Sequence, residues 1–336
     1  MTSGRSTPRH GRAAPERLRC DALSTSTSVD FGVYLPQVAL SWDAISARAR
    51  AVETAGIDSI WFYDHLYSPG QPGLSSFEGW TLASHVLATT TTLRVGHLVL
   101  CNGFRHPALL AKMVSTLDVL SGGRVELGLG SGSVEVEHHQ AGLPWGTLEQ
   151  RSGMLEESLA ILTSMLANET TSFEGSFFQL HDLPNLPLPL QEPRPPIHVG
   201  GIGRRRTLPL AARFADVWNV PTYGLGDWVE SQRVLDEECE KIGRDPSTLR
   251  RSHEAVLVLA PDDASLRDAL QVAERRFGAK GWGLAEGGYV GTPNAVIERI
   301  AAARDNGISL FVFITHDRAD PRTIDLIAEH LVPAFS

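Results

Sequence analysis

Asp64-His65 follows the apolar run Ser59-Ile60-Trp61-Phe62-Tyr63, and no other pair in the chain is as suggestive of chemistry. A histidine titrates near neutrality, so at a strand end it either exchanges a proton with a ligand or serves as an ordinary structural side chain. Asp64 either touches a cofactor or orients the helix that follows. A second candidate is Gly200-Gly201-Ile202-Gly203, followed by Arg204-Arg205-Arg206-Thr207. Free N–H groups and the helix dipole favour an anion where a strand joins a helix, and the arginines add charge. Phosphate is the natural ligand there, and a solvated basic helix start is the plainer reading. Gly128-Leu129-Gly130-Ser131-Gly132 misses the dinucleotide spacing, because the third glycine of GxGxxG falls on Ser133. These glycines instead let a flat ring approach the backbone, or form a simple turn. Glu135, Glu137, His138 and His139 have a metal site's composition without an HxH or HExxH spacing, so no metal is expected. Cys101 has no evident partner in sequence and reads as a buried thiol rather than a nucleophile.

Alternating segments position these groups. Strands are expected at Phe31–Leu35, Ser59–Tyr63, Leu93–Leu100, Val125–Leu129, Ile197–Val199, Val217–Val220, Ala255–Ala260 and Ser309–Ile314. Helices fall between them. In the helix after Pro107, for example, Leu109, Leu110, Met113, Val114, Leu117 and Leu120 form an apolar stripe that stops at Gly122-Gly123. Residues 168–195 break the rhythm with a hairpin about Glu174-Gly175 and a proline-dense run, which reads as an insertion. Eight strands alternating with helices favour a closed (β/α)₈ TIM barrel, an α/β fold, over an open doubly wound sheet. Its chemistry belongs at the carboxyl ends of the strands.

At 336 residues, 42% hydrophobic and 21% charged, the composition is that of a soluble globular protein. A net charge of −9 excludes a general affinity for nucleic acid or anionic membranes, and no apolar run reaches the ~20 residues of a membrane helix. Cys20, Cys101 and Cys239 form no disulfide framework, which fits a reducing cytoplasm. Residues 1–28 read as a disordered tail or an upstream start, because their positive beginning lacks the apolar centre of a signal peptide. The barrel domain is expected over 29–336.

In order and spacing, several segments together resemble the luciferase-like monooxygenase superfamily, and within it the branch that uses the deazaflavin coenzyme F420. They are Gly56 to Trp61 with Asp64-His65-Leu66, Glu78 to Leu82, Arg105-His106-Pro107, Leu117 to Arg124, Gly128 to Gly132, Glu137, Gly142, and Gly200-Gly201 through Asn219. The resemblance implies a barrel with an insertion after the fourth strand, often a homodimer, holding an isoalloxazine-like ring in its mouth. Leu98-Val99 match a third-strand bulge with a non-prolyl cis peptide behind the ring. Asp64 and His65 match cofactor-proximal residues, His65 being the expected proton-transfer group. Gly200, Gly201 and Gly203 match the phosphate-binding segment, with Ile202 and Arg204 beside them. Cys101, Asn102, Gly130, Ser131 and Gly132 complete the expected cofactor contacts, and Gln37 and Trp42 are expected to face substrate. Sugar-phosphate dehydrogenases of this branch carry a glutamate general acid where this chain has Ser133, which counts against glucose-6-phosphate oxidation.

The implied function is hydride transfer between F420 and a small organic substrate. The alternatives are an FMN-dependent two-component monooxygenase and a non-catalytic flavin-binding protein. Phe177, Phe178, Trp282 and Tyr289 form either an apolar lid or the packing of the insertions.

Overall fold

A computed structural model describes residues 28–278 and 283–335, together with the strand pair residues Leu18–Arg19. Eight parallel strands close into a barrel: β1 Asp30–Tyr34, β2 Ser59–Phe62, β3 Arg94–His97, β4 Val125–Gly130, β5 Ile197–Gly200, β6 Val217–Val220, β7 Arg250–Leu259 and β8 Leu310–Thr315. Each strand pairs with the next. The ring closes between β8 and β1 (Phe311 opposite Phe31), and the seam across the inserted hairpin is β4 to β5, with Leu127 opposite Ile197 and Leu129 opposite Val199.

The helices start and stop for local reasons. In α1 (Trp42–Thr54) the Ser41 hydroxyl accepts from the Ala44 amide, Ile45, Ala49 and Val52 face the core, and Gly56 takes the left-handed turn at φ +69°. Glu78 caps α2 (Gly79–Thr89) by accepting from the Trp80 and Thr81 amides. In α3 (Pro107–Ser121) the proline opens the first turn and Gly122, at φ +73°, ends the last. Its buried stripe is Leu110, Ala111, Val114 and Leu117; Leu109 and Leu120, assigned to that stripe by periodicity, are exposed. A short α4 (Glu135–Ala141) precedes α5 (Leu148–Ala167), which starts with a reciprocal Thr147–Gln150 capping box.

The hairpin Thr170–Glu174 with Gln179–Pro184 then leads to β5. Helices α6 (Thr207–Phe214), α7 (Trp228–Lys241), α8 (Asp263–Phe277), the turn α9 (Gly283–Glu286), α10 (Pro293–Asp305) and α11 (Pro321–Leu326) complete the ring. Leu18–Arg19, within the expected tail, pair in parallel with Gln191–Glu192. The rest of 1–27, and with it Cys20, lies outside the described residues.

Two strands depart from the plain apolar runs. The third is interrupted where the resemblance places a bulge: β3 ends at His97, a cis peptide joins Leu98 to Val99, and Leu100–Cys101 resumes pairing with Leu129–Gly130. β7 begins at Arg250, five residues before the expected start, because its lower half is polar. Inside the barrel Trp61, Leu98, Leu310 and Val312 pack together as a plug, and the cavity lies above them. No helix among the described residues is long and apolar enough to cross a membrane.

Candidate active site

A cavity of about 1070 Å³ opens at the carboxyl ends of the strands. Its walls include Tyr34 at the end of β1, Asp64 and His65 after β2, Leu98 to Cys101, Gly130 to Val134 after β4, Gly200 to Thr207 after β5, and Glu254 on β7. Of the residues expected to contact a cofactor, all but Asn102 line it. Asn102 is buried in the 3-10 turn Asn102–Phe104, which carries the chain away from the mouth.

His65 is fixed by a residue 72 positions away. Its Nδ1 lies 2.8 Å from Oε2 of Glu137, which is almost completely buried. The other Glu137 oxygen accepts from the Leu66 amide, and from the Tyr67 amide at 3.4 Å. One carboxylate on α4 therefore holds the loop after β2 and orients the imidazole. An ionised carboxylate only accepts, so Nδ1 of His65 is the donor to Glu137.

Asp64 has a different occupation. Arg105 donates to both of its oxygens, at 2.7 and 3.0 Å, and the Cys101 amide donates at 2.8 Å. Arg105 also reaches Glu78, the cap of α2. The Asp64–Arg105–Glu78 chain ties together the ends of β2 and β3 and the start of α2. Asp64 remains on the cavity wall with its charge neutralised.

The glycines after β4 have a structural cause. A Cβ at Gly128 would lie 2.0 Å from the His97 carbonyl oxygen, and one at Gly130 would lie 2.6 Å from the Val99 side chain. Both are required by the interrupted third strand pressing against β4, and Gly130 also lines the cavity. Gly200 meets nothing closer than 3.4 Å, so no neighbour of its own demands a glycine.

Burial pushes the Cys101 thiol up to about 12. Its sulfur sits 3.6 Å from Nε2 of His138, whose Nδ1 is 3.1 Å from the Val134 carbonyl. A thiol so protonated is no nucleophile. His139 pairs with Glu135 at the surface, and no group of three or more His, Cys, Asp or Glu among the described residues is placed to hold a metal ion.

Gln37 and Trp42 do not face the cavity. The Gln37 amide is fully buried, donating to the Tyr63 and Phe77 carbonyls and accepting from the Tyr63 amide, while Trp42 packs edge-on against His85 of α2. The lid is not seen either. Phe177 leans on Gly153, Phe178 packs on the core and against His106, and Tyr289 is buried with its hydroxyl on His253. Trp282 lies outside the described residues.

Glu254 is the group sequence reasoning missed. It points into the cavity from β7 and accepts from the Asn219 amide at 3.3 Å; Asn219 is itself oriented by the Ser252 hydroxyl at 2.8 Å. Burial without a counter-cation lifts its carboxyl to about 7. Burial, and then the Glu254 charge, raises the Tyr34 phenol well above its usual value, and both act in the same direction on Tyr223.

A closed parallel barrel whose strand ends converge polar groups on one large cavity defines a (β/α)₈ enzyme. The chain belongs to the luciferase-like monooxygenase family, whose model matches residues 22–282. The F420-dependent hydroxymycolic acid dehydrogenase of Mycobacterium tuberculosis is 32% identical over 246 residues, 71% of this chain but only 65% of that protein's length. The FMNH2-dependent dimethylsulfone monooxygenase of Pseudomonas putida is 26% identical over 305 residues, covering 81% of this chain and 83% of that one. An F420-dependent secondary alcohol dehydrogenase, solved with an F420–acetone adduct, superposes with a TM-score of 0.77 over 92% of this chain and 99% of its own; at 19% identity this likeness speaks for the fold.

Proposed function

We propose that the chain is an F420-dependent oxidoreductase that transfers hydride between the deazaflavin and a small organic substrate. The observation that carries this reading is His65 on the cavity wall, held from behind by Glu137. Glu137 keeps a proton on Nδ1, so Nε2 takes the proton that a substrate hydroxyl releases as hydride leaves its carbon. The coenzyme, when bound, supplies the hydride-accepting carbon.

The residues present fit such a group. The cavity lies at the upper end of the volumes usual for ligand pockets, with room for a ring and a substrate together. Gly201 spends its N–H on the Asn219 carbonyl, so the backbone N–H groups from Ile202 to Arg204, just before α6, with Arg204 and Arg205 alongside, suit a phosphate. Leu98, Val99, Cys101, Gly130, Ser131 and Gly132 surround the space left for the ring, and Asp64 borders it.

The mycobacterial dehydrogenase relative supports F420 as the coenzyme. A second reading, an FMN-dependent monooxygenase, is favoured by the longer alignment with the dimethylsulfone enzyme. An oxygen electrode separates them. With supplied reduced FMN and a substrate panel, the F420 reading expects no substrate-dependent oxygen uptake, and it expects anaerobic bleaching of F420 by an alcohol from the same panel. Substrate-dependent oxygen uptake would establish the second reading.

The protein acts in the reducing cytoplasm on a small molecule, and its net charge of −9 gives nucleic acid no purchase. Homodimer formation is supported by α3, which exposes Leu109 and Leu120 on one face, about three turns apart. Equilibrium sedimentation at twice the chain mass is the expected result, and a monomer would remove this part of the reading.

A further inference from the structure

We propose that Glu254, a carboxyl on the cavity wall anchored by the Asn219 amide, is a second catalytic residue that exchanges a proton with the bound reactants. This rests on the hydride-transfer reading above.

The cavity contains many ionisable groups, and the structure removes most of them from proton exchange. Asp64 is held by both arms of Arg105. The Cys101 thiol is pushed far above neutrality, and the phenols of Tyr34, Tyr63 and Tyr223 are raised above an already high value. Both nitrogens of His138 are occupied, by the Val134 carbonyl and the Cys101 sulfur. The arginines at α6 stay charged. His65 and Glu254 remain.

Glu254 is also positioned. Ser252 accepts nothing from Asn219 but donates to its carbonyl oxygen, which turns the Asn219 amide nitrogen toward Glu254. One carboxyl oxygen is thereby anchored. No ion pair engages Glu254 among the described residues. The groups that face it are Tyr34 from β1, Asn219 from β6 and Tyr223 from the turn after β6, none of them a cation. A carboxyl in that setting keeps its proton into the neutral range, where a general acid works best.

Oxidation of an alcohol releases one proton and one hydride, and two groups can divide the proton's path. The carbinol C–H bond breaks and its electron pair leaves as hydride to the coenzyme; the O–H bond breaks, C=O forms, and that proton goes to Nε2 of His65. Glu254 would supply the one proton that the coenzyme, when bound, takes up beyond the hydride. The proton on His65 then returns to Glu254 through solvent, so each turnover is balanced and the reverse sequence serves reduction.

The test pairs the apoprotein with the loaded enzyme, in wild type, Glu254→Gln and Glu254→Asp. Infrared difference spectra of the apoprotein, taken between about pH 5.5 and 8.5, should show a protonated-carboxyl band that titrates, persists in E254D and is absent from E254Q. With F420 and an alcohol, kcat of E254Q should fall by about 10²–10⁴ and lose its decline at alkaline pH, while E254D retains that limb. Cofactor dissociation constants should be unchanged, which also reports that the variants are folded. No titrating band in the wild-type apoprotein, or an E254Q kcat equal to wild type with F420 bound, overturns the proposal. Absence of F420 binding while the band is present counts against the cofactor reading instead.

Discussion

Glu137→Gln separates the structural task of this carboxylate from its task on His65. The carboxamide oxygen still accepts from the Leu66 and Tyr67 amides, and its NH2 group then faces Nδ1 of His65. Two donors cannot share one bond, so the imidazole moves its proton to Nε2 and accepts at Nδ1. Nε2 then has no lone pair for the substrate proton. The three hydrogen bonds to the carboxylate, one of them long, become neutral ones, a loss of about 1–2 kcal/mol in stability. Turnover falls far more, by about 10²–10⁴, because a general base is silenced. Glu137→Ala instead leaves three donors without their acceptor, and with water reaching part of this loop the cost is roughly 2–3 kcal/mol. Urea unfolding followed by circular dichroism measures the stabilities, nitrogen NMR of the imidazole reads the tautomer, and kcat is taken at saturating F420. An E137Q variant that keeps its proton on Nδ1 and turns over within about twofold of wild type would refute the reasoning.

Other perturbations test other parts of the account. Gly128→Ala drives a methyl into the His97 carbonyl and should cost about 3 kcal/mol or more, whereas Gly200→Ala, with only ordinary contacts, should change unfolding by less than about 0.5 kcal/mol; equal stabilities would remove the close-approach argument. Arg105→Leu strands the buried Asp64 charge, for an expected loss of about 3–5 kcal/mol in the urea midpoint analysis; a neutral result would show that Asp64 is held elsewhere. Glu254 has its carboxyl raised from 4.5 to about 7, so the folded state binds this proton more tightly than the unfolded chain does. Stability therefore falls as pH rises through that window, by up to about 3 kcal/mol, and E254Q should outlast wild type at about pH 8 but not below about pH 4.5; parallel pH profiles would contradict this. Cys101, with its thiol near 12, should resist iodoacetamide in the native protein and react in urea, as peptide mass spectrometry would show.

Much of the barrel was legible because most strands are short apolar runs closed by glycine or polar punctuation, and Val217–Val220 was read to the residue. β7 was not. Its first half, Arg250-Arg251-Ser252-His253-Glu254, has no apolar alternation, because Arg250 pairs with Asp30, Arg251 with Asp236, Ser252 with Asn219, and Glu254 faces the cavity. The same polar character that hid the strand hid its functional carboxyl. His65 was visible at its strand end, whereas the action of Glu137 on it depends on a contact across 72 residues that no local pattern announces. The glycines of β4 also answer to the chain's own bulge at Leu98–Val99, a demand that no local pattern announces. The resemblance implies a substrate-facing Gln37, but an amide with three backbone partners in reach is more stable spanning two loops than facing solvent.

The central claim is that this cavity is built for a deazaflavin. Fluorescence or calorimetric titration of the purified protein with oxidised F420 and, separately, with FMN tests it directly. Micromolar binding of F420 with negligible FMN binding is the predicted result. Tight FMN binding with no affinity for F420 would contradict the account and move the protein to the oxygen-using branch of its family.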